Sequence, residues 1–312
     1  MKRLNALTVV MLLVITPFFS SGQGMTAQKV IDKIQETYRK QMKDVNDMTK
    51  ITDKSTSYQK WEGSGESATY KLRNEQEVNG KKQISVYDGT HFWFKAPYSE
   101  EATKTERELD PMVFYEYLDS WDFDYQGEEQ KGGRNCHVLE VSGVDLNEMV
   151  DPTTGEPIVP ANTGGMEDAT VDARLYVDAG EWVMVQMDFD VNGLMMQNRE
   201  RSATSTIKYE DIREKNGVLV PYRTITKTEV SMTDQEREQA KKAQESMEQM
   251  QEQMKDMSED QRKMMQQRMG SQMEQMKQSM HYMTGENEII EEVEEVKINT
   301  GISDDLFDGS NL

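Results

Sequence analysis

The stretch TVDARLYVDAGEWVMVQMDFDV, residues 170–191, sets the reading of the chain. In its first half Val171, Ala173, Leu175 and Val177 alternate with Asp172, Arg174 and Asp178. Ala179-Gly180 marks a turn, and Val183, Val185, Met187, Phe189 and Val191 then alternate with Gln186, Asp188 and Asp190. A period of two, apolar against polar, predicts two strands over Thr170–Asp178 and Glu181–Val191, each with one covered and one wet face. The same pattern runs from Asp47 to Val230. It is punctuated at Glu62-Gly63-Ser64-Gly65, Asn79-Gly80, Asp88-Gly89, Gly132-Gly133, Asn192-Gly193 and Asn216-Gly217. Asn-Gly and Asp-Gly between alternating runs are strong hairpin signals, so the segment predicts an antiparallel meander. Val218 to Val230, with Pro221 near its edge, and Glu286 to Asn299 add two more strands. Ile290, Val296 and Ile298 are expected on one face of the latter.

Before the strands, Thr26 is placed to cap a helix whose apolar stripe is Val30, Ile31, Ile34, Tyr38 and Met42, ending near Asp44. Residues 1–24 read differently. Lys2 and Arg3 precede an apolar run, Leu4 to Phe19, and Ser20, Ser21 and Gly22 follow it. This is the layout of a signal peptide cleaved near Gly22–Gly24. The run is shorter than the ~20 residues that span a bilayer, and Pro17 interrupts it. With no cysteine behind it, lipid anchoring of the usual bacterial kind is not expected. Removing Lys2 and Arg3 takes the net charge from -21 to -23. The reading is of a soluble, exported, periplasmic monomer in which 25–312 forms a single domain.

Two stretches interrupt the meander. Asp145 to Gly165 holds Pro152, Pro157 and Pro160 and reads as a long exposed loop, and Pro111 with Val113, Phe114, Tyr117 and Leu118 reads as a short helix. A third stretch, 232–284, is of another kind. Met232 to Met283 lacks Leu, Ile, Val, Phe and Trp, and holds 12 of the 24 methionines and 12 glutamines. Thr233 with Glu236 forms a capping-box pattern, and Ser258 with Gln261 offers a second. Met247, Met250, Met254 and Met257 form one heptad seam, and Met269, Met273, Met276, Met280 and Met283 another. The expectation is a helical hairpin inserted between two neighbouring strands, with one long helix as the alternative. Met247, Met250, Met254, Met257, Met273, Met276 and Met280 are the candidates for a lid. Three readings of these methionines stay open: a plain helix–helix seam, an adaptable apolar contact surface, and a soft site for Cu(I).

With 57 acidic against 36 basic residues, the chain lacks the basic surface that nucleic acid or an anionic membrane would require. One cysteine, Cys136, excludes an internal disulfide framework. Cys136 and His137 are neighbours, which on a strand puts them on opposite faces, unable to act as nucleophile and base. There is no G-x-S-x-G elbow, no phosphate-cradling glycine loop and no H-E-x-x-H helix. Asp122 with Asp124, and Asp188 with Asp190, read as solvated faces, a weak calcium site being the alternative. No catalytic residue, metal ligand or cofactor is assigned, and the chain does not read as an enzyme.

Five segments, in order, carry a resemblance. They are Tyr87-Asp88-Gly89-Thr90-His91-Phe92-Trp93-Phe94-Lys95-Ala96-Pro97; Gly133-Arg134-Asn135-Cys136-His137-Val138-Leu139-Glu140-Val141; Leu175-Tyr176-Val177-Asp178; Asn216-Gly217-Val218-Leu219-Val220-Pro221; and Val296-Lys297-Ile298-Asn299-Thr300-Gly301-Ile302-Ser303-Asp304-Asp305-Leu306-Phe307. With the N-terminal helix and the leader, the chain resembles the outer-membrane lipoprotein-sorting proteins, the LolA-like periplasmic carriers. The resemblance covers most of the chain outside the Met-rich insert and the Pro-rich loop. It implies an α+β, mainly β fold, a curved incomplete antiparallel β-barrel with an N-terminal helix, whose apolar concave face holds lipoprotein or lipid acyl chains. An inner-membrane releasing complex and an outer-membrane acceptor are the partners it implies. Phe92, Phe94, Leu175, Val183, Val185, Met187 and Phe189 are the candidate cavity-lining residues. An envelope-stress sensor of the same fold, or a Met-rich Cu(I)-handling protein, are the alternatives.

Overall fold

The computed structural model describes residues 24–62, 69–78, 80–99, 101–105, 115, 118–145, 169–196, 199–238, 241–242, 245 and 286–312. Residues 1–23 of the expected leader, 146–165 of the Pro-rich stretch and the seam methionines lie outside them, as does most of the Pro111 segment. One helix, α1 (Ala27–Met42), precedes thirteen strands. The first six are β1 (Asp47–Thr52), β2 (Ser55–Glu62), β3 (Thr69–Val78), β4 (Lys81–Tyr87), β5 (Phe92–Lys95) and β6 (Thr103–Thr105). The next six are β7 (Asp124–Lys131), β8 (Arg134–Asp145), β9 (Thr170–Asp178), β10 (Met184–Met196), β11 (Arg199–Lys215) and β12 (Val218–Val230), and β13 (Glu286–Ile298) is last.

All thirteen form one sheet in the order β6-β5-β4-β3-β2-β1-β13-β12-β11-β10-β9-β8-β7, with every neighbour antiparallel. The chain lays down one meander, β1 to β6, toward one edge. It then crosses to the far edge and returns through β7 to β12, and β13 joins the two runs. The edges, β6 and β7, do not meet, so the barrel is incomplete. β12 and β13 flank the Met-rich segment and pair directly, from Arg223 opposite Glu292 to Glu229 opposite Glu286.

Local sequence explains the elements. Thr26 Oγ1 accepts from the Lys29 N–H at 3.3 Å, and Val30, Ile31 and Ile34 are buried along the stripe that α1 turns to the sheet. They join Leu139, Leu175, Val177 and Met187 in the largest core cluster. We call the sheet face that α1 covers the inner face. A smaller cluster on the outer face holds Cys136, Val138, Tyr176 and Val185. His137 lies on the inner side, its ring 4.9 Å from that of Trp182, so Cys136 and His137 do face apart. Burial pushes the Cys136 thiol up.

Three one-residue bulges correct the period-two reading. β10 begins at Met184, and the register with β9 slips at Val185. Met187 and Phe189 therefore face α1, whereas Val185 joins the outer cluster and does not share their face. Asn192-Gly193 is no hairpin turn. Gly193 takes φ 77°, which a side chain would strain, and absorbs an extra residue between Val191 and Leu194 while β10 continues to Met196. On β13 the register with β1 slips at Glu294. Val296 and Ile298 stay with the inner cluster, while Ile290 pairs with Ile225 and turns outward.

The C-terminal tail is held across the outer face of the first meander. Lys60 and Lys71 reach Asp304 at 2.9 and 3.0 Å, and the Arg73 guanidinium donates to the Leu306 carbonyl at 2.9 Å. Gly309 lies against the Trp93 ring, where an added Cβ would come within 2.1 Å of ring carbon. Asp47 fixes the entry to the tail. Its carboxylate accepts from Thr300 N–H at 2.7 Å, Thr300 hydroxyl at 3.0 Å and Gly301 N–H at 2.8 Å.

Candidate functional site

Between α1 and the inner face is a cavity of about 230 Å³. Ile34, Tyr38 and Met42 form its helical wall, and Met48, Trp61, Val183, Met184 and Val220 are among its sheet walls. Apolar lining follows from the helix stripe. α1 must bury one face, and its last turns, near Tyr38 and Met42, stand opposite Met48, Trp61, Met184 and Tyr209, which ring the gap without filling it. The helix is tied down at its middle and at its last turn, on either side of Tyr38, so the gap does not collapse. The Gln35 amide donates to the Tyr115 carbonyl at 3.1 Å and to Asp119 at 2.8 Å, and Gln41 Oε1 accepts from the Leu219 N–H at 3.1 Å. The rings of Tyr38 and Tyr115 stack at 5.0 Å. Burial pushes the Tyr115 phenol up to about 12, and burial also raises that of Tyr209 on the opposite wall.

One wall is set by a strained residue. Trp182 has φ 56°, rare for a bulky side chain, which costs ~1–3 kcal/mol unless its surroundings enforce it. The turn before it does so. Asp178 accepts from the N–H groups of Gly180 at 2.8 Å and Glu181 at 2.7 Å, and from Arg134 at 3.0 Å, and the Trp182 N–H donates to the Asp178 carbonyl at 2.9 Å. Burial would raise the Asp178 carboxyl, but these hydrogen bonds hold it below the usual range. Tyr125 donates to or accepts from His137 Nδ1 at 3.1 Å, and the His137 ring backs Trp182.

The inner face continues beyond the cavity as a groove of about 460 Å³ with a different lining. Ser57, Asn74, Gln76 and Ser85 present hydroxyls and amides there, with Tyr70 and Leu72 between them. Lys50 and Gln59 line both the cavity and the groove, and mark their junction. The Gln59 Oε1 atom is buried without a hydrogen-bond partner.

The sequence-derived residues fall into four places. Leu175, Met187 and Phe189 pack in the inner core beside the cavity, and Val183 lines the cavity itself. Val185 is on the outer face. Phe92 and Phe94 share a face, since both are odd-spaced from Trp93, and Phe94 pairs with Ser85 of the groove wall. The methionines proposed as a lid lie outside the described residues. At the root of that segment, the Thr233–Glu236 box forms: Thr233 N–H donates to Glu236 at 2.9 Å, and Glu236 N–H to Thr233 Oγ1 at 3.3 Å. Arg199 and Arg201 of β11 grip the same carboxylate at 3.0 and 2.5 Å, and hydrogen bonding to Arg201 pulls Glu236 down to about 2. Sequence reasoning missed Lys50, Gln59 and Trp61. Among the described residues no three His, Cys, Asp or Glu side chains cluster as a metal site, and no helix is long and apolar enough to cross a membrane.

No protein-family model matches the sequence, and no curated protein matches it. Solved structures do. A DUF1329 family protein from Desulfovibrio piger is 13% identical, over 92% of this chain and 98% of that one, with a TM-score of 0.48. The chain is also similar to proteins of the LolA superfamily. One from Nitrosomonas europaea is 12% identical, over 93% of this chain and 100% of that one, with a TM-score of 0.41. A putative outer membrane lipoprotein-sorting protein domain from Vibrio parahaemolyticus is 11% identical, over 90% of this chain and 97% of that one, with a TM-score of 0.40.

Proposed function

We propose that the protein is a non-catalytic periplasmic carrier that shelters an acyl chain of a lipid or lipoprotein between α1 and the inner face of its open sheet. The observation that supports this most is the apolar cavity of about 230 Å³ beside a polar groove, with Lys50 and Gln59 lining both. At the ~30 Å³ that a water-sized group occupies, the cavity has room for about eight such groups. Burying eight methylenes would contribute ~6 kcal/mol at ~0.8 kcal/mol each, enough to hold a chain in water yet release it to a membrane. The groove is open to solvent, which leaves it accessible for loading and delivery. An inner-membrane releasing complex and an outer-membrane acceptor are the partners such a cycle would need.

Filling the cavity tests the reading. Val183→Trp adds a bulky ring at the cavity wall outside a strand. It should abolish uptake of a long-chain fatty acid while circular dichroism and melting temperature stay near those of the unchanged protein. Uptake undiminished in a folded variant would refute the reading.

A further inference from the structure

Lys50 and Glu291 line the groove together, yet neither side chain makes an ion pair within 4.0 Å or a hydrogen bond among the described residues. Both are half-buried, on neighbouring strands β1 and β13. Two opposite charges that share a groove and do not meet are both left incompletely satisfied. Partly desolvated charges normally pair, because burial weakens their hydration. The rest of the groove wall is neutral, and it offers amides and hydroxyls able to donate or accept. The two charges are also ordered. Lys50 lines the apolar cavity as well as the groove, with the unpartnered Gln59 Oε1 beside it at the same junction, whereas Glu291 lines the groove alone.

We infer that the groove reads a zwitterionic head group, an anionic phosphate followed by a primary ammonium, on an amphiphile whose acyl chain fills the cavity. This rests on the carrier reading above and deepens it. In a phosphoethanolamine lipid the phosphate lies nearer the acyl chain than the ammonium does. That is the order in which the groove presents Lys50, at the cavity mouth, and Glu291, further out. The glycerol hydroxyl or ester region then passes Gln59, where a hydroxyl can donate to the orphaned Oε1. A purely anionic head would leave Glu291 facing phosphate oxygens without a cation between them.

The test uses lysophosphatidylethanolamine, lysophosphatidylglycerol and a free fatty acid of the same chain length, each below its micelle concentration. Trp61 and Trp182 line the cavity, so their fluorescence reports chain entry. The unchanged protein should bind the ethanolamine lipid about three- to tenfold more tightly than the glycerol lipid. Glu291→Gln should bring that ratio to about one by weakening the ethanolamine lipid alone. Lys50→Gln should weaken both phospholipids by about tenfold, the size of a charge-assisted hydrogen bond. The ratio is internal to each variant, so partial loss of folded protein does not mimic it. Tighter binding of the glycerol lipid, or a ratio unmoved by Glu291→Gln, would overturn the head-group inference while chain binding upheld the carrier reading. No fluorescence response to any of the three would overturn both.

Discussion

The inner faces of the two meanders differ in kind. Across β8 to β10 the inward side chains are Leu139, Leu175, Val177 and Met187, none more than 7% exposed, under the N-terminal half of α1. Across β2 to β4 most inward positions are polar, Ser57, Gln59, Asn74, Gln76, Gln83 and Ser85, with Tyr70 and Leu72 between them and no helix over them among the described residues. A sheet face that nothing covers must be wettable, or it becomes an adhesive apolar patch. One continuous sheet thus carries a dry floor and a wet floor, and the cavity lies where they meet. An amphiphile needs that juxtaposition: a place for a chain beside a place for a head.

The contrast can be broken by mutation. Leu175→Ala, at a fully buried position on the dry floor, should destabilise by ~2–5 kcal/mol through lost burial and a cavity. The same truncation at Leu72, half-buried on the wet floor, should cost under ~1 kcal/mol. Denaturant midpoints of the two variants check this, and equal losses would erase the distinction.

Acid probes the fastenings of the two floors. Asp47, Asp88 and Asp178 are pushed up by burial but pulled further down by hydrogen bonds, from Thr300 and Gly301, from His91 and Trp93, and from Glu181 and Arg134 respectively. Each carboxyl is therefore lowered in the folded state, and the unfolded chain takes up the proton first as pH falls. Their stabilisation is complete above the usual aspartate range, ~3.9, and is lost as pH drops through that value toward the lower folded ones. Denaturant midpoints should hold level from about pH 6 to about pH 5 and then fall toward about pH 3, and Asp47→Asn should flatten the acid limb while lowering the plateau. A plateau that persists to the acid end would contradict it.

A smaller effect is expected at the tail. Gly309→Ala should cost about 1–3 kcal/mol by overpacking against Trp93, or should lift the tail and shift tryptophan emission, with the dry floor unchanged. The smallest belongs to the root of the Met-rich segment. Glu236→Gln should speed amide exchange around 233–237, where the carboxylate closes the capping box, and leave the global melting temperature unmoved.

Much of this architecture is legible in the chain. Thr26 and its stripe give α1, Thr170–Asp178 gives β9 and Val218–Val230 gives β12 to the residue. The faces were harder. Period-two reading survives until a bulge, and a single extra residue at Val185, Gly193 or Glu294 sends every later side chain to the other side. Val185 and Ile290 were misplaced for that reason. The junction residues went unnoticed because Lys50, Gln59 and Glu291 look like ordinary wet-face positions in alternating strands. Only the pairing of β1 with β13 brings Lys50 and Glu291 to one groove, across more than two hundred residues of chain. The carrier reading, by contrast, came from a resemblance spread over five segments and not from any local pattern.

Native mass spectrometry of the protein, purified from cells without detergent, tests the central claim most directly. The account predicts a second charge-state series, heavier than the apoprotein by the mass of one acyl-bearing molecule, and predicts that Val183→Trp removes it. A single series at the mass of the bare polypeptide, for protein that is folded and never exposed to detergent, would contradict it.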